Sequence, residues 1–353
     1  MLDAYFPMPP LLTLLPRGAA HHGVNLIASA LQENAIGWYG GMTCNGVLQQ
    51  HLLGTIAPRS YVHPQSLSLE LLSHDFDFSR WEERCHRVLS SISNGDLSKC
   101  VLSRASVLRA SSAVSPWAFL QNLRYPKCSL LMWHTESTTW IASTPEVLFE
   151  RHGERLSTEA LAGTMAIDPA RSLVEQQQDL LHSSRQRLEC ELVRDRILDV
   201  LMDCGVRQFT VSPLEVLTYP HLMHLCMQIT ATWPQPDDAA LLTALHPTPA
   251  VCGTPPDRSK VLRNSLETRD RGWYAGALGY STPSHAWFAV VLRCAELLDD
   301  HHLRAWTGVG LTTKSTPQAE WDELDTKLRW YLGGPPSLRS DNHLHAEAHE
   351  LSH

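Results

Sequence analysis

The pattern of apolar and polar residues becomes regular from about residue 76 onward. Residues 76–95, FDFSRWEERCHRVLSSISNG, carry apolar side chains at helical spacing and predict an amphipathic helix. Asn94-Gly95 is a typical end for this helix, because glycine readily adopts the left-handed conformation that follows a last turn. The next segment, KCVLSRASVLRA at residues 99–110, is rich in apolar and branched residues and predicts a strand.

The longest helical pattern covers residues 169–205, where leucine and isoleucine recur at steps of three, four and seven residues before Gly205. We therefore expect one long helix with an apolar stripe along it. The remaining patterns are shorter. Strands are predicted at 46–53, 129–135, 138–144, 209–211, 223–232, 273–280, 286–293 and 303–309, and helices near 117–123, 237–245, 259–269 and 318–331. Long helices among many strands, without regular βαβ alternation, favour an α+β fold with mainly antiparallel sheets.

Composition narrows the class of protein. The 353 residues are 43% hydrophobic and 19% charged, and the net charge of −8 argues against a nucleic-acid or polybasic membrane surface. Nine cysteines are scattered without a CxxC pair, which argues against a disulfide framework and a structural zinc site. The first residues lack the basic start and apolar run of a signal peptide. We expect a cytoplasmic, enzyme-sized protein with reduced thiols and neither a nucleic-acid nor a membrane partner.

Two short segments carry polar groups that suit a binding site. Glu146 follows Pro145 in a turn between two apolar strands, in the segment WIASTPEVLFERHG. A carboxyl group among apolar neighbours can act as a general acid, whereas the ordinary alternative is a turn glutamate that faces water. In EALAGTMA, Gly163 and Thr164 either bring an N–H group and a hydroxyl close to a ligand or belong to a plain loop.

Acidic residues occur on two separate helical segments. Glu189 lies in RLECELV, while Glu320 and Glu323 lie three residues apart in QAEWDELDTKLRW, with Lys327 on the same face. If the two helices meet, their carboxylates suit Mg²⁺, which prefers oxygen ligands. Otherwise each acidic face is simply solvated.

Proline and glycine mark three further segments. HPTPAVCGTP, residues 246–255, has the prolines of a rigid loop that can form the wall of a binding site. DRGWYAGALGY (270–280) and WTGVGLTT (306–313) are predicted strands whose glycines permit close backbone approach. The GVG does not open a helix, so a Rossmann or P-loop nucleotide site is excluded.

Six of these motifs occur in the order seen in one enzyme family. They are IASTPEVLF, EALAGT, RLECELV, HPTPAVCG, RGWYAGALGY and AEWDELDTKL. The chain thereby resembles the chorismate-utilising enzymes, which include isochorismate, salicylate, anthranilate and aminodeoxychorismate synthases, over roughly residues 85–333. The resemblance implies an α+β fold with a single domain of two packed, mainly antiparallel sheets and surrounding helices.

Three parts of the chain are distinguished within this domain. We expect residues 1–75 to form a poorly matched N-terminal portion and residues 76–333 to form the chorismate-binding catalytic part. Residues 334–353 form a His-rich tail that we expect to be disordered, although His345 and His349 would share one face if the tail were helical.

The resemblance also implies an activity. Members that add water to chorismate carry a lysine where this chain has Lys99 in SKCVLSR, and HPTPAV resembles isochorismate synthases. Lys99, as the neutral amine, is then expected to take a proton from water attacking C2, while Glu146 protonates the departing C4 hydroxyl. The product would serve menaquinone, siderophore or salicylate biosynthesis. The alternatives are a salicylate synthase, which also releases pyruvate, and a catalytically inactive chorismate-binding protein.

By the same resemblance, Mg²⁺ is the cofactor, chorismate is the small-molecule partner, and the protein is expected to be a monomer. The implied metal-site residues are Glu189, Glu323 and Glu320. Four residues depart from the family pattern, namely Ala142, Gln186, Cys190 and Thr326. The implied substrate-binding residues are Gly163, Thr164, His224, Ala250, Tyr274, Arg293, Gly308, Gly310 and Lys327.

Overall fold

The structure, a computed structural model, describes residues 11–15, 26–29, 38–44, 48–52, 67–123, 128–134, 138–219 and 221–332. The His-rich tail at residues 334–353 lies outside these described residues. Seven helices are described: α1 (Phe78–Ser93), α2 (Pro116–Asn122), α3 (Leu173–His182), α4 (Ser184–Asp203), α5 (Asp238–Leu245), α6 (Pro256–Leu266) and α7 (Pro317–Leu332).

The described part of the chain also contains eighteen strands. The first nine are β1 (Leu11–Leu15), β2 (Leu26–Ser29), β3 (Trp38–Met42), β4 (Leu48–Leu52), β5 (Leu69–His74), β6 (Lys99–Ala110), β7 (Ser129–His134), β8 (Thr139–Thr144) and β9 (Val147–His152). The others are β10 (Arg155–Ala166), β11 (Phe209–Val211), β12 (Glu215–Thr218), β13 (Leu222–Thr232), β14 (Gly253–Thr254), β15 (Ala277–Ser281), β16 (His285–Val290), β17 (Cys294–Leu297) and β18 (His302–Leu311).

These strands form two sheets, and every strand pairing in the described residues is antiparallel. The first sheet has the order β14-β6-β18-β17-β8-β7-β1-β2, with β5 also pairing with β6. The second has the order β11-β13-β10-β9-β16-β15-β3-β4, with β12 also pairing with β13. The predicted α+β fold with mainly antiparallel sheets is confirmed.

The main hydrophobic core lies between the two sheets. Trp133 and Trp140 from the first sheet belong to the same buried cluster as Phe149 and Phe288 from the second. Helix α4 packs on β10 and β13 and buries Ile197 in this cluster. Burying an aliphatic or aromatic side chain of this size stabilises the fold by about 1.5–3 kcal/mol.

The amphipathic helix predicted at residues 76–95 is confirmed, whereas the long helix at 169–205 is wrong. Asp77 caps α1 by accepting a hydrogen bond from the Arg80 N–H, and Gly95 follows it with φ +79°. The longer segment is divided at Ser183, which has extended backbone and caps α4 by accepting from the Gln186 N–H. Because leucines recur at helical spacing on both sides of Ser183, the sequence pattern does not indicate that the helix ends there.

The start of β15 and the hairpin of β9 and β10 also differ from expectation. The strand predicted at 273–280 begins only at Ala277, because Gly272 and Ala275 take positive φ angles of 55° and 59° in the turns before it. The strand expected after Glu146 is present as β9, but its hairpin partner β10 was not predicted, although the tip of the hairpin carries Gly153 with φ +58°. No helix within the described ranges is both long enough and apolar enough to cross a membrane.

Candidate active site

A cavity lies where β6 and β18 of the first sheet meet β10 and β13 of the second, beside α4 and α7. It brings together motifs that are far apart in the sequence. Every predicted site residue except Lys99 lines it: Glu146, Gly163, Thr164, Glu189, His224, Ala250, Tyr274, Arg293, Gly308, Gly310, Glu320, Glu323 and Lys327.

Lys99 does not line this cavity but bonds to Glu189, which does. It is the first residue of β6, and its side chain is only 3% exposed. Its Nζ donates a hydrogen bond to Glu189 Oε1 over 2.5 Å. Burial acts to raise the pKa of Glu189, but Lys99, Lys327 and Arg185 together outweigh it and hold that pKa below its ordinary value. The predicted base and a predicted metal ligand therefore form an ion pair.

Gly310 leaves room for the Lys99 side chain. A Cβ at this position of β18 would lie 2.6 Å from Lys99 Cε and 3.5 Å from Glu189 Oε1. Gly308, two residues earlier on the strand, lies against the Tyr274 hydroxyl, which would be 2.3 Å from an added Cβ. The glycines of WTGVGLTT thus permit the close approach that their pattern predicted.

Glu146 lies in the turn that leads from β8 of the first sheet to β9 of the second. Only 5% of the residue is exposed, so the alternative of a turn glutamate facing water is wrong. Burial, and then the negative charge of Glu159, raise the pKa of Glu146 to about 8, against the lowering effects of Lys99 and Arg293. The carboxyl group is therefore mostly protonated at neutral pH and can donate a proton.

The carboxylates on α4 and α7 do face one cavity, so the alternative of two separate solvated faces is also wrong. Glu320 is 2% exposed and accepts a hydrogen bond from Arg185 Nη2 at 2.9 Å. Glu323 pairs with Lys327 over 2.7 Å. Burial and the nearby Glu323 raise the pKa of Glu320. Each of these carboxylates thus has a cationic partner.

The carboxylate oxygens of Glu189, Glu320 and Glu323 are of the type that binds a hard cation such as Mg²⁺. Nevertheless, the part of the chain that the structure describes contains no group of three His, Cys, Asp or Glu side chains close enough to hold a metal ion. The donor chemistry fits, but a bound cation would have to replace the existing bonds of Glu189 to Lys99 and of Glu323 to Lys327.

The cavity wall also carries cationic and neutral side chains. Arg293 is 7% exposed, has an uncommon φ of +49°, and places its guanidinium 5.3 Å from the centre of the Trp330 ring. Burial, then Arg293 and Lys327, hold the pKa of His224 well below its ordinary value, so this imidazole is neutral at pH 7. Its Nδ1 shares a hydrogen bond of 3.0 Å with the hydroxyl of Thr164.

The EALAGT motif contributes a strand with a distortion rather than a loop. Gly163 has φ +78°, and the β10–β13 register shifts between Ala162 and Thr164. An added Cβ on Gly163 would lie 2.7 Å from the Gln186 carbonyl oxygen. The N–H of Thr164 donates to Gln186 Oε1 at 3.0 Å, so this amide stabilises the bulge beside the cavity.

Comparison with known proteins identifies the family. Residues 47–333 match the family model described as chorismate binding enzyme. The chain belongs to this family. The predicted resemblance to the chorismate-utilising enzymes is thereby confirmed.

Several members of the chorismate-binding family are similar to this chain in sequence. Isochorismate synthase MenF of Pasteurella multocida is 32% identical over 302 residues, which cover 83% of this chain and 68% of that protein. Isochorismate synthase EntC of Escherichia coli is 27% identical over 280 residues, covering 78% and 71%. For the chloroplastic isochorismate synthase 2 of Arabidopsis thaliana, the identity is 32% and the coverage is 66% and 42%. The chain thus spans 42–71% of the length of these relatives.

Solved structures of the family agree in fold. The structure of MenF, the menaquinone-specific isochorismate synthase of Escherichia coli, has a TM-score of 0.77 at 24% identity and covers 93% of this chain and 90% of its own. Anthranilate synthase component I of Streptococcus pneumoniae has a TM-score of 0.66 at 18% identity, covering 94% and 93%. At these identities the likeness establishes the fold alone.

Sequence reasoning missed some residues that line the cavity of this chorismate-binding enzyme and others that lie outside its lining. Arg185 precedes Glu189 by four residues, and this helical spacing was the signal that could have placed it on the cavity face. Arg271 is 2% exposed and donates to the carbonyl oxygens of Val101 at 2.7 Å and Val251 at 3.0 Å. It therefore ties β6 to the loop that follows α5. The first residue of EALAGT, Glu159, was also missed.

Three of the four departures from the family pattern have a clear place in the structure. Gln186 bonds the Thr164 N–H, as described above. Ala142 is fully buried in β8, and Cys190 is fully buried and donates from Sγ to the Ala160 carbonyl oxygen at 3.4 Å. Thr326 donates to the Asp322 carbonyl oxygen at 2.8 Å on α7. The structure gives no specific reason for threonine at that position.

Proposed function

We propose that this protein is an isochorismate synthase, which adds water at C2 of chorismate with loss of the C4 hydroxyl. The observation that carries this proposal is that two buried titratable side chains lie at this site, the carboxyl of Glu146 in the cavity wall and the amine of Lys99 bonded to the wall residue Glu189. The similarity to isochorismate synthases over most of this chain supports it.

Glu146 supplies the acid in this proposal. The leaving hydroxyl needs a proton, and a carboxyl group with a pKa of about 8 still holds one at neutral pH. An acid of this strength is well matched to a reaction that runs near neutrality, because it is both protonated and able to release the proton.

Lys99 supplies the base. An amine removes a proton from water only in its neutral form, so the Lys99 ammonium that pairs with Glu189 must first lose a proton in the working enzyme. Glu189 is one of the residues that we assign to the metal site, which gives it another partner once the site is filled. Arg293 and Lys327 then balance the two carboxylates of chorismate, since both cations line the cavity.

We further propose that Glu189 and Glu323, with Glu320 beside them, hold Mg²⁺. Their oxygen donors face the cavity and are of the type that this ion prefers. When bound, the ion would neutralise and orient a carboxylate of the substrate.

A cytoplasmic location and a monomeric state are part of the same proposal. All nine cysteines lie in described residues as thiols, which supports a reducing compartment.

The assignment is tested by incubating the protein with chorismate and Mg²⁺ and separating the products by chromatography. We expect isochorismate from the wild type and less than about a tenth of its rate from Lys99→Ala and Lys99→Arg, because guanidinium stays protonated at any usable pH. Lys314→Ala, at an exposed lysine, is the matched control and should keep full activity. Thermal unfolding verifies that each variant is folded.

Other products would point to other assignments. Salicylate and pyruvate as main products would identify a salicylate synthase. Chorismate binding without any product would identify an inactive chorismate-binding protein. Substantial isochorismate formation by Lys99→Arg would contradict the role of Lys99 alone.

A further inference from the structure

Glu159 is a buried carboxylate that the mechanism above does not use. It lies on β10 as the first residue of the EALAGT motif and is only 5% exposed. Its Oε1 accepts a hydrogen bond from the Val147 N–H at 3.1 Å. Its Oε2 accepts from Nε2 of Gln228, its partner across the β10–β13 register, at 2.9 Å. Both oxygens are thus bonded to N–H donors, an arrangement that suits a carboxylate.

The bond to Val147 places Glu159 directly behind the proposed acid. Val147 follows Glu146 in the chain and begins β9, so Glu159 fastens the backbone immediately after the acid. On its other side, Glu146 is held because its carbonyl oxygen accepts from the Val290 N–H at 3.1 Å. The turn that carries the acid is therefore anchored by a side chain that does not line the cavity.

The charge of Glu159 also acts on this acid. Three charged groups influence Glu146: Glu159 disfavours its ionised form, whereas Lys99 and Arg293 favour that form. Removing the negative charge would leave two cations and no opposing carboxylate. Two buried carboxylates repel each other more strongly than two exposed ones, because bulk water does not screen their charges.

We infer that Glu159 is a positioning residue for Glu146, anchoring the turn that carries this acid through the Val147 N–H and acting on the acid through its buried negative charge. This inference rests on the proposed general-acid role of Glu146. Glu159 contacts neither the cavity nor the reacting atoms, so its effect passes through Glu146.

The test compares charge removal with loss of a hydrogen bond. Glu159→Gln keeps an oxygen for the Val147 N–H but removes the charge, and we expect the alkaline limb of the kcat/KM profile to move down by about 1 pH unit. Gln228→Leu is the matched control, since it removes the other hydrogen bond of Glu159 and keeps the charge. Its alkaline limb should not move. Glu159→Thr, which suits a strand, serves as a second uncharged variant if the glutamine variant does not fold.

A readout without substrate separates this inference from the proposed function. The infrared C=O band of the protonated Glu146 carboxyl is identified by its absence in Glu146→Gln, and we follow the pH at which it disappears. A wild type that makes no isochorismate overturns the proposed function, while a band that vanishes at lower pH in Glu159→Gln still supports the inference. An active wild type whose profile and band are both unmoved in Glu159→Gln overturns the inference alone.

Discussion

The buried acid contributes to the pH dependence of the stability of the fold, and Glu146→Gln removes this contribution. The Glu146 carboxyl has an ordinary pKa of 4.5, which describes the unfolded chain, and a pKa of about 8 in the folded protein. Below pH 4.5 both states hold the proton. Between the two values the unfolded chain has released a proton that the folded protein retains, so rising pH favours unfolding. The contribution of the neutral carboxyl to stability is therefore lost as the pH rises toward 8.

The magnitude follows from these two values. Each pH unit in this window changes the free energy of unfolding by about 1.4 kcal/mol. From pH 5.5 to pH 7.5, we expect the wild type to lose about 2–3 kcal/mol relative to Glu146→Gln, because the folded carboxyl has begun to ionise at the upper end. Glutamine has the same size and no titration in this range, so any constant packing effect cancels between the two pH values.

Denaturant unfolding at the two pH values measures this difference directly. The free energy of unfolding is determined for the wild type and for Glu146→Gln at pH 5.5 and 7.5, and the difference between the two proteins is compared. Glu154→Gln, at an exposed glutamate in the β9–β10 turn, is the control and should track the wild type. Parallel behaviour of Glu146→Gln and the wild type would refute the argument that burial keeps this carboxyl protonated.

Two further perturbations test the site. Gly310→Ala should lower kcat by about 10²-fold with the fold retained, because the new Cβ would displace the Lys99 side chain, and a wild-type kcat would contradict this. Chelation with EDTA should abolish isochorismate formation and added Mg²⁺ should restore it, with Glu323→Gln needing at least about tenfold more Mg²⁺ for half-maximal rate. Full activity in chelator-treated protein would exclude the metal.

The sequence predicted elements best where one local signal was sufficient. Helix α1 has an apolar period, a capping aspartate and a terminal glycine, and its bounds were close to those expected. The break at Ser183 was missed because the residues on both sides favour helix. The one local sign of the break is Ser183 itself, whose side chain caps α4. Strand β10 was missed because buried Glu159 and Gly163 interrupt the apolar alternation that marks a strand.

The order of the six motifs in the sequence predicted which residues belong to the site, and the fold places all of them except Lys99 in the lining of one cavity. Their partners could not be predicted in the same way. The bond between Lys99 and Glu189 joins positions ninety residues apart, and that from Arg185 to Glu320 joins α4 to α7. No local pattern reports such contacts, because they depend on how the two sheets and their helices pack.

The long pairing of β6 with β18 has a consequence for how the chain is synthesised. The register runs from Arg109 opposite His302 to Cys100 opposite Leu311. During synthesis, β18 therefore emerges about 200 residues after β6, with which it pairs. At ribosomal speeds of about 5–20 residues per second, this interval is roughly 10–40 s. During it, a strand that is buried along nearly its whole length in the finished protein has one edge without its partner. Yield in a cell should therefore depend on the supply of chaperones that shield nascent chains, and any truncation before β18 should send the product into aggregates.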